Sequence, residues 1–422
     1  MGQQNSSYPV LPLKNYSNNL FSKKWYILRL ITILALLVIV SYHFAFSQSI
    51  SGLKIIPPKN GIYLGAYDWG DGVSVFEKII GKKVAIAGFY KNSKFSIRDG
   101  GTEGTMPSFD AAGHENAYQH GYNKFYVGIE YKIPSSTNSP QAVINGAMDS
   151  YIIKVAQDIK AWGRPIFWVY QREPESTPAW GYDGGGYGPQ GNDKRRNPEK
   201  VDPWDYENYG CKTVGDQRCL DGWERSRDAI RHIHDLVESI TPNQVTWVAS
   251  ASAHGSSADW ELENSYPGDK YVDWIAYDYY PCGQSPDCGL GEEGKALVYY
   301  ESINKPNSYL NKFLAKAKQV APTKPVMLLE FGVIGNPNKK MDRSAWFKEF
   351  FQALKTTHKQ IKAFVYWQSV GENNSKYVVL GGRINPANTA DAQAWKEEIA
   401  ASPHFWLSEI KTGNSAEISG GK

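Results

Sequence analysis

Charge of one sign is nearly missing in excess: 46 Lys and Arg stand against 43 Asp and Glu, a net charge of +3. Nothing in that balance suggests a nucleic-acid partner, which would call for a clustered basic surface. Cysteine is scarce, at four residues. No His stands at ligand spacing beside Cys211, Cys219, Cys282 or Cys288, which argues against a metal site built on them. No Gly-rich phosphate fingerprint follows the first apolar segment, which counts against a dinucleotide-binding open sheet. No internal repeat is visible beyond an alternation of strand-like and helix-like segments. The chain's 422 residues suffice for one barrel-sized domain or two ordinary ones.

What is present begins with an almost unbroken apolar run, Ile27–Phe46, close to the roughly 20 residues that cross a bilayer. Lys14, Lys23, Lys24 and Arg29 precede it or sit at its entrance, which favours a cytoplasmic amino terminus. Ala45-Phe46-Ser47 resembles a small-x-small cleavage site. Residues 25–47 are therefore expected to be a transmembrane anchor or a signal peptide; a buried core helix fits the flanking charges less well. Either of the first two exports the remainder, secreted or held at the outer face of the cell membrane. In that setting an even number of cysteines favours disulfides, with three pairings open and the short spacings favouring Cys211–Cys219 and Cys282–Cys288. Asn373-Asn374-Ser375 is a glycosylation sequon. Residues 1–24 read as a disordered cytoplasmic leader, 48–60 as a linker, 61–411 as the catalytic domain and 412–422 as a flexible tail.

From Gly61 onward a rhythm appears. Strands are expected at Gly61–Tyr67, Lys83–Tyr90, Lys124–Tyr131, Ile166–Tyr170, Gln244–Ser250, Tyr271–Tyr277, Pro325–Glu330 and Ile361–Trp367. Helical spacing marks Val73–Ile80, Gly146–Trp162 (stopped by Gly163), Trp223–Ile240, Ser308–Val320 and Arg343–Thr357. Gly113–Gly121 fits a short helix or a turn. Gly181–Gly222 is a long polar segment of the kind that is usually functional or mobile. Strands alternating with helices imply an α/β protein with a parallel sheet. Eight strands of mostly buried character imply a closed (β/α)8 TIM barrel, with chemistry at the carboxyl ends of its strands. A doubly wound open sheet is the alternative.

Two carboxylates end buried strands: Glu173, after Ile166–Tyr170, and Glu330, at the end of Lys324–Gly332. Glycoside hydrolysis needs a proton on the leaving oxygen and negative charge facing the anomeric carbon, and two such carboxylates supply both. Each also has a plain structural role open to it: an ion pair with Arg172 or Arg164 for Glu173, a helix cap for Glu330. The chain holds 14 Trp and 27 Tyr. Most are expected in the core, but aromatics just after strand ends would stack on sugar rings. His232 and His234, two apart on a helix, do not share a face. His114-Glu115 and His254 are expected in loops near the barrel mouth.

Several blocks between Gly61 and Trp367 resemble clan A glycoside hydrolases, most of all family 26, whose best-known members are β-mannanases. Asp149–Arg172 is similar to the helix and strand leading to that family's acid. Asn243–Val248 is similar to its Asn-x-x-x-Trp strand. Tyr266–Tyr280 (YPGDKYVDWIAYDYY) is the most specific block, Lys324–Gly332 is similar to the nucleophile strand, and Ile361–Trp367 to the eighth strand. The resemblance implies a retaining glycosidase with Glu173 as acid/base and Glu330 as nucleophile. It implies that Tyr280 hydrogen-bonds the nucleophile, that Asp278 supports that network, that Trp367 floors the sugar and that Trp180 extends the cleft. β-Mannan is the first substrate it suggests, β-glucan or xylan the second. No metal or organic cofactor is required, and a monomer suffices. The chain departs from the family in Arg172-Glu173-Pro174-Glu175, where the family has His before the acid. Arg beside a proton donor tends to lower its pKa. Arg172 then either points away, contacts substrate, or marks a binding protein that has lost catalysis on a glycosidase barrel; Glu175 is a substitute acid. A structural surface protein with no sugar site is a further alternative.

Overall fold

The computed structural model describes residues 54–67, 72–88, 109–124, 126–127, 143–170, 222–251, 262–263, 265–281, 302–333, 342–368, 384 and 389–418, together with residue 32. Gly52–Lys422 forms one compact unit. Apart from Thr32, the expected anchor lies outside the described residues, as do the four cysteines, the sequon and nearly all of Gly181–Gly222. Among the described residues no helix is long and apolar enough to cross a membrane.

In chain order the elements are β1 (Lys54–Ile56), β2 (Ile62–Tyr67), α1 (Gly72–Ile80), β3 (Ile86–Gly88), α2 (Ala111–Gln119), β4 (Asn123–Lys124), β5 (Tyr126–Val127), α3 (Asp149–Trp162) and β6 (Ile166–Val169). They continue with α4 (Gly222–Ile240), β7 (Val245–Ala251), β8 (Trp274–Tyr279), α5 (Tyr309–Val320), β9 (Val326–Phe331), α6 (Arg343–Thr356) and β10 (Ile361–Tyr366). Last come α7 (Thr389–Ala401), β11 (Trp406–Leu407), β12 (Lys411–Gly413) and α8 (Ser415–Ile418).

One sheet runs β4-β3-β2-β10-β9-β8-β7-β6-β5, with β11 added onto β2. Every pairing in it is parallel. Its two ends, β4 and β5, are neighbouring segments of one strand either side of position 125, so eight staves close into a nearly complete ring. This is the expected barrel. The strands read as continuous apolar runs because both of their faces are buried. Alternate residues divide between two environments. Tyr63, Phe167, Val169, Trp274, Ala276, Met327 and Val365 fill the interior. Leu64, Tyr277, Leu328, Phe364 and Tyr366 face outward onto helix residues such as Phe76, Phe313, Phe350 and Trp395.

The helices follow from local signals. Ile152, Val155, Ala156 and Ile159 make the buried stripe of α3, and Gly163 ends it in the left-handed region at φ 75°. Ser308 and Asp342 cap α5 and α6 through their side chains. Gly113–Gly121 resolves as α2. Between β7 and β8 the described residues hold only short helical pieces, at 262–263, 265 and 269–271.

Three expectations need correction. The sixth strand starts at Trp274 rather than Tyr271, because Asp269–Tyr271 forms a 3-10 turn after Gly268, whose φ is 109°. The tail expected from 412 is ordered at its start: β12 pairs antiparallel with β1, which lies within the expected linker. This two-stranded sheet closes the amino-terminal end of the barrel. Ile55 and Ile418 join the interior cluster, and Trp274 Nε1 donates to the Ile55 carbonyl at 3.1 Å. Tyr63 Oη donates to the Ile56 carbonyl and accepts from Lys411 N, both at 2.8 Å. Buried Lys54 reaches Asp273 at 2.8 Å. Polar residues hid the plug from composition, since only Ile55 and Ile418 of it are apolar and fully covered. The third correction concerns His114-Glu115, which sit on α2 rather than in a mouth loop. His114 is buried beside Phe109 and Trp162. Glu115 receives Arg164 at 2.8 and 2.9 Å, just before the amino end of β6. The guanidinium holds the Glu115 carboxyl down at about 2.

Candidate active site

Glu330 is the penultimate residue of β9 and is 3% exposed. Plain alternation along β9 would not turn it inward. Val326 and Leu328 face the helices, while Met327 and Leu329 face the interior, so strict parity sends residue 330 outward. A bulge intervenes. Against β8 the register runs Tyr277 opposite Leu328, then Asp278 opposite Glu330. Against β10 it runs Phe364 opposite Leu328, then Tyr366 opposite Phe331. One extra residue on β9 therefore lies between Leu328 and Phe331. Phe331 returns to the helix side, and Leu329 and Glu330 both belong to the interior side. Bulges re-aim side chains in this way beside active sites.

The carboxylate meets its partner there. Tyr280 Oη donates to Glu330 Oε2 at 2.7 Å. Burial, followed by the nearby Glu330 and Asp278 carboxylates, pushes the Tyr280 phenol well above its ordinary range, so it stays protonated and remains a donor. Asp278, 1% exposed, faces Glu330 across the strand pair. The strands themselves arrange this. Trp274 and Ala276 point inward on β8, and the same alternation carries Asp278 and Tyr280 to the interior face at the carboxyl end.

Trp367 follows β10, with its N–H on the Phe331 carbonyl at 2.7 Å. Its half-buried ring lies 4.8 Å from that of Tyr67, at 45°. Most other described tryptophans, including Trp168, Trp247, Trp274, Trp395 and Trp406, are fully buried core. Two further contacts fix the rim. Gln368 receives the Ile384 N–H and donates to its carbonyl. Arg343 pairs with Asp391 and gives an N–H to the Val333 carbonyl at 3.0 Å, just past the Glu330 strand.

Of the residues singled out in the sequence, Glu330, Asp278, Tyr280 and Trp367 thus converge on the carboxyl end of the barrel. Arg172, Glu173, Glu175 and Trp180 lie outside the described residues, which on that side reach Tyr170. His254 lies outside them as well. His232 bonds Asp149 at 2.6 Å and His234 packs against Trp247, so both are structural. Sequence reading passed over Tyr67. Its only signal was an aromatic residue closing the first strand, the position where barrel chemistry resides.

No family model matches the chain. Endoglucanase H of Acetivibrio thermocellus is 24% identical over 356 residues, 83% of this chain and 31% of that protein. The beta-1,3-xylanase TXYA of a Vibrio species is 24% identical over 147 residues, 34% of this chain and 31% of that one. The chain spans about a third of the length of these curated relatives. Among solved structures, an endo-beta-1,4-mannanase of Cellulomonas fimi is 16% identical, with 82% of this chain and 72% of that one covered, at a TM-score of 0.48. A family 26 beta-mannanase of Bacteroides ovatus is 16% identical, with 83% and 90% covered, at a TM-score of 0.47.

Proposed function

We propose that this chain is a retaining glycoside hydrolase acting on β-linked polysaccharide, with Glu330 as nucleophile and Glu173 as acid/base. The observation that carries the proposal is a buried carboxylate at the carboxyl end of β9, held by a phenol at 2.7 Å in the mouth of a parallel barrel. The names of the curated relatives, an endoglucanase and a xylanase, favour β-linked substrates. In this mechanism Glu330 attacks the anomeric carbon while Glu173 protonates the departing oxygen. A covalent glycosyl-enzyme forms, and water then hydrolyses it with Glu173 acting as base. Retention requires the two carboxyls to stand about 5–5.5 Å apart. Tyr280 orients the nucleophile, Asp278 supports it, and Trp367 stacks under the sugar. Arg172 contacts substrate, and Trp180 extends the cleft. β-Mannan is the first substrate proposed, β-glucan or xylan the second, and the enzyme acts outside the cell, secreted or anchored through residues 25–47.

Digestion of soluble mannan, β-glucan and xylan, with product sizing and NMR of the first-formed anomer, tests this. Release of β-anomeric ends from one of them is the expected result. Glu330→Gln should remove nearly all turnover and leave the protein folded; unchanged activity ends the nucleophile assignment. Arg172 beside the acid favours one second reading, a carbohydrate-binding protein without catalysis. Binding to the same polysaccharides with no new reducing ends would select it.

A further inference from the structure

The bulge that turns Glu330 inward needs something to hold it, and the structure offers one side chain. Tyr67 ends β2, across β10 from β9. Its Oη donates to the carbonyl of Leu329, 262 positions away in sequence, at 3.0 Å. Leu329 is the residue beside Glu330 in the irregular step of β9, where the register against both neighbouring strands changes. The Tyr67 ring is 3% exposed and rests against Trp367 on one side. On another it passes over Gly88, where a Cβ would stand 2.3 Å from Tyr67 Cε1. Gly88 therefore leaves the room that lets this ring reach across the mouth.

We propose that Tyr67 is a positioning residue for the nucleophile: its hydrogen bond to the Leu329 carbonyl holds the β9 bulge that aims Glu330 at the anomeric carbon. The proposal rests on the glycosidase reading above. Trp367 and Tyr280 act on the sugar and on the carboxylate. Tyr67 acts one step earlier, on the backbone that carries the carboxylate. Loss of its hydroxyl should leave the stacking surface in place and let the nucleophile drift. Small displacements of reacting groups cost up to about a hundredfold in rate.

A covalent trap isolates this step. A dinitrophenyl deoxyfluoro-β-glycoside reacts by forming a bond between Glu330 oxygen and the anomeric carbon, while dinitrophenolate leaves with the bonding electron pair. No proton is needed, so Glu173 does not limit the reaction. The full chain is treated with the β-cellobioside, β-mannobioside and β-xylobioside forms, and the adduct is located by peptide mass spectrometry. Tyr67→Phe should label Glu330 at a saturating rate lower by about tenfold or more. Its half-saturating concentration should stay within about twofold, and its melting temperature should change by only a few degrees. A wild-type saturating rate, or a loss seen only in half-saturation, overturns the proposal. If Tyr67→Phe does not fold, Gly88→Ala, which pushes the ring from Leu329 while keeping the hydroxyl, decides the matter: slowed labelling supports the proposal and unchanged labelling refutes it. Failure of the unaltered chain to label at Glu330 with any of the three reagents defeats the glycosidase reading itself, and this proposal with it.

Discussion

Replacing Tyr280 by Phe deletes a single oxygen atom from the best-defined part of the site. The lost interaction is a 2.7 Å hydrogen bond to a carboxylate that is 3% exposed, so water has little access to replace the donor. A hydrogen bond to a charged group contributes roughly 1.5–3 kcal/mol. At about 1.4 kcal/mol per tenfold in rate, full loss spans about 10- to 150-fold. Only the share that is stronger in the transition state than in the ground state enters kcat. The remainder acts through orientation, because a freed Glu330 side chain must also accommodate the buried carboxyl of Asp278 opposite it. The expected outcome for Tyr280→Phe is a fall in kcat of about 10- to 100-fold, with KM within about twofold. The phenol touches the enzyme's own carboxylate, so ground-state sugar binding should hardly change. Steady-state kinetics on the polysaccharide that the digestion panel selects, together with a thermal melt, provide the assay. Retention of more than half the wild-type kcat, or a loss confined to KM, would refute the reasoning.

Glu173→Ala should slow substrates with poor leaving groups far more than activated aryl glycosides, since only the former need a proton delivered; equal losses on both would remove Glu173 from the donor role. Tyr63→Phe tests the basal plug. It strips the donor from the Ile56 carbonyl and the acceptor from the Lys411 N–H, at a cost of about 1 kcal/mol for each bond. Burial pushes the Tyr63 phenol up to about 12, against about 10 in an unfolded chain. The folded state therefore holds this proton more tightly. Its contribution, about 3 kcal/mol at 1.36 kcal/mol per unit, is complete below about pH 10 and is lost as pH climbs toward 12. Denaturant melts at about pH 9 and about pH 11.5 should show a smaller alkaline loss in Tyr63→Phe than in the unaltered chain; equal losses would exclude Tyr63 as the titrating group.

Much of the barrel was readable along the chain because each stave carries its own signal. Val326–Phe331 is an apolar run buried on both faces, and α3 shows its stripe and its glycine stop without help from elsewhere. Glu330 was identifiable because it closes such a run, at the end where barrel chemistry sits, whereas Tyr280 was named only through the resemblance of Tyr266–Tyr280 to a family's segment. Strand six slipped by three residues at its start because Tyr271 and Val272 are strand-like in type, yet the turn after Gly268 claims Asp269–Tyr271. His114 and Glu115 looked like mouth residues because polar type alone does not distinguish the two ends of a barrel. Arg164 and Trp162, 49 and 47 positions from Glu115, decided that end.

Local composition determined that strands and helices alternate and that Glu330 stands at a strand end, since burial on both faces and amphipathic periodicity are written into short windows. Tertiary structure alone decided that Glu330 faces inward. Parity along its own strand points the other way, and the extra residue in β9 exists only in register with β8 and β10. The same holds for the plug, where Lys54–Ile56 finds its hydrogen-bonding partner in Lys411–Gly413. A strand of three residues has too little apolar surface to announce itself. Its pairing becomes favourable only once the barrel floor brings the two ends of the domain together.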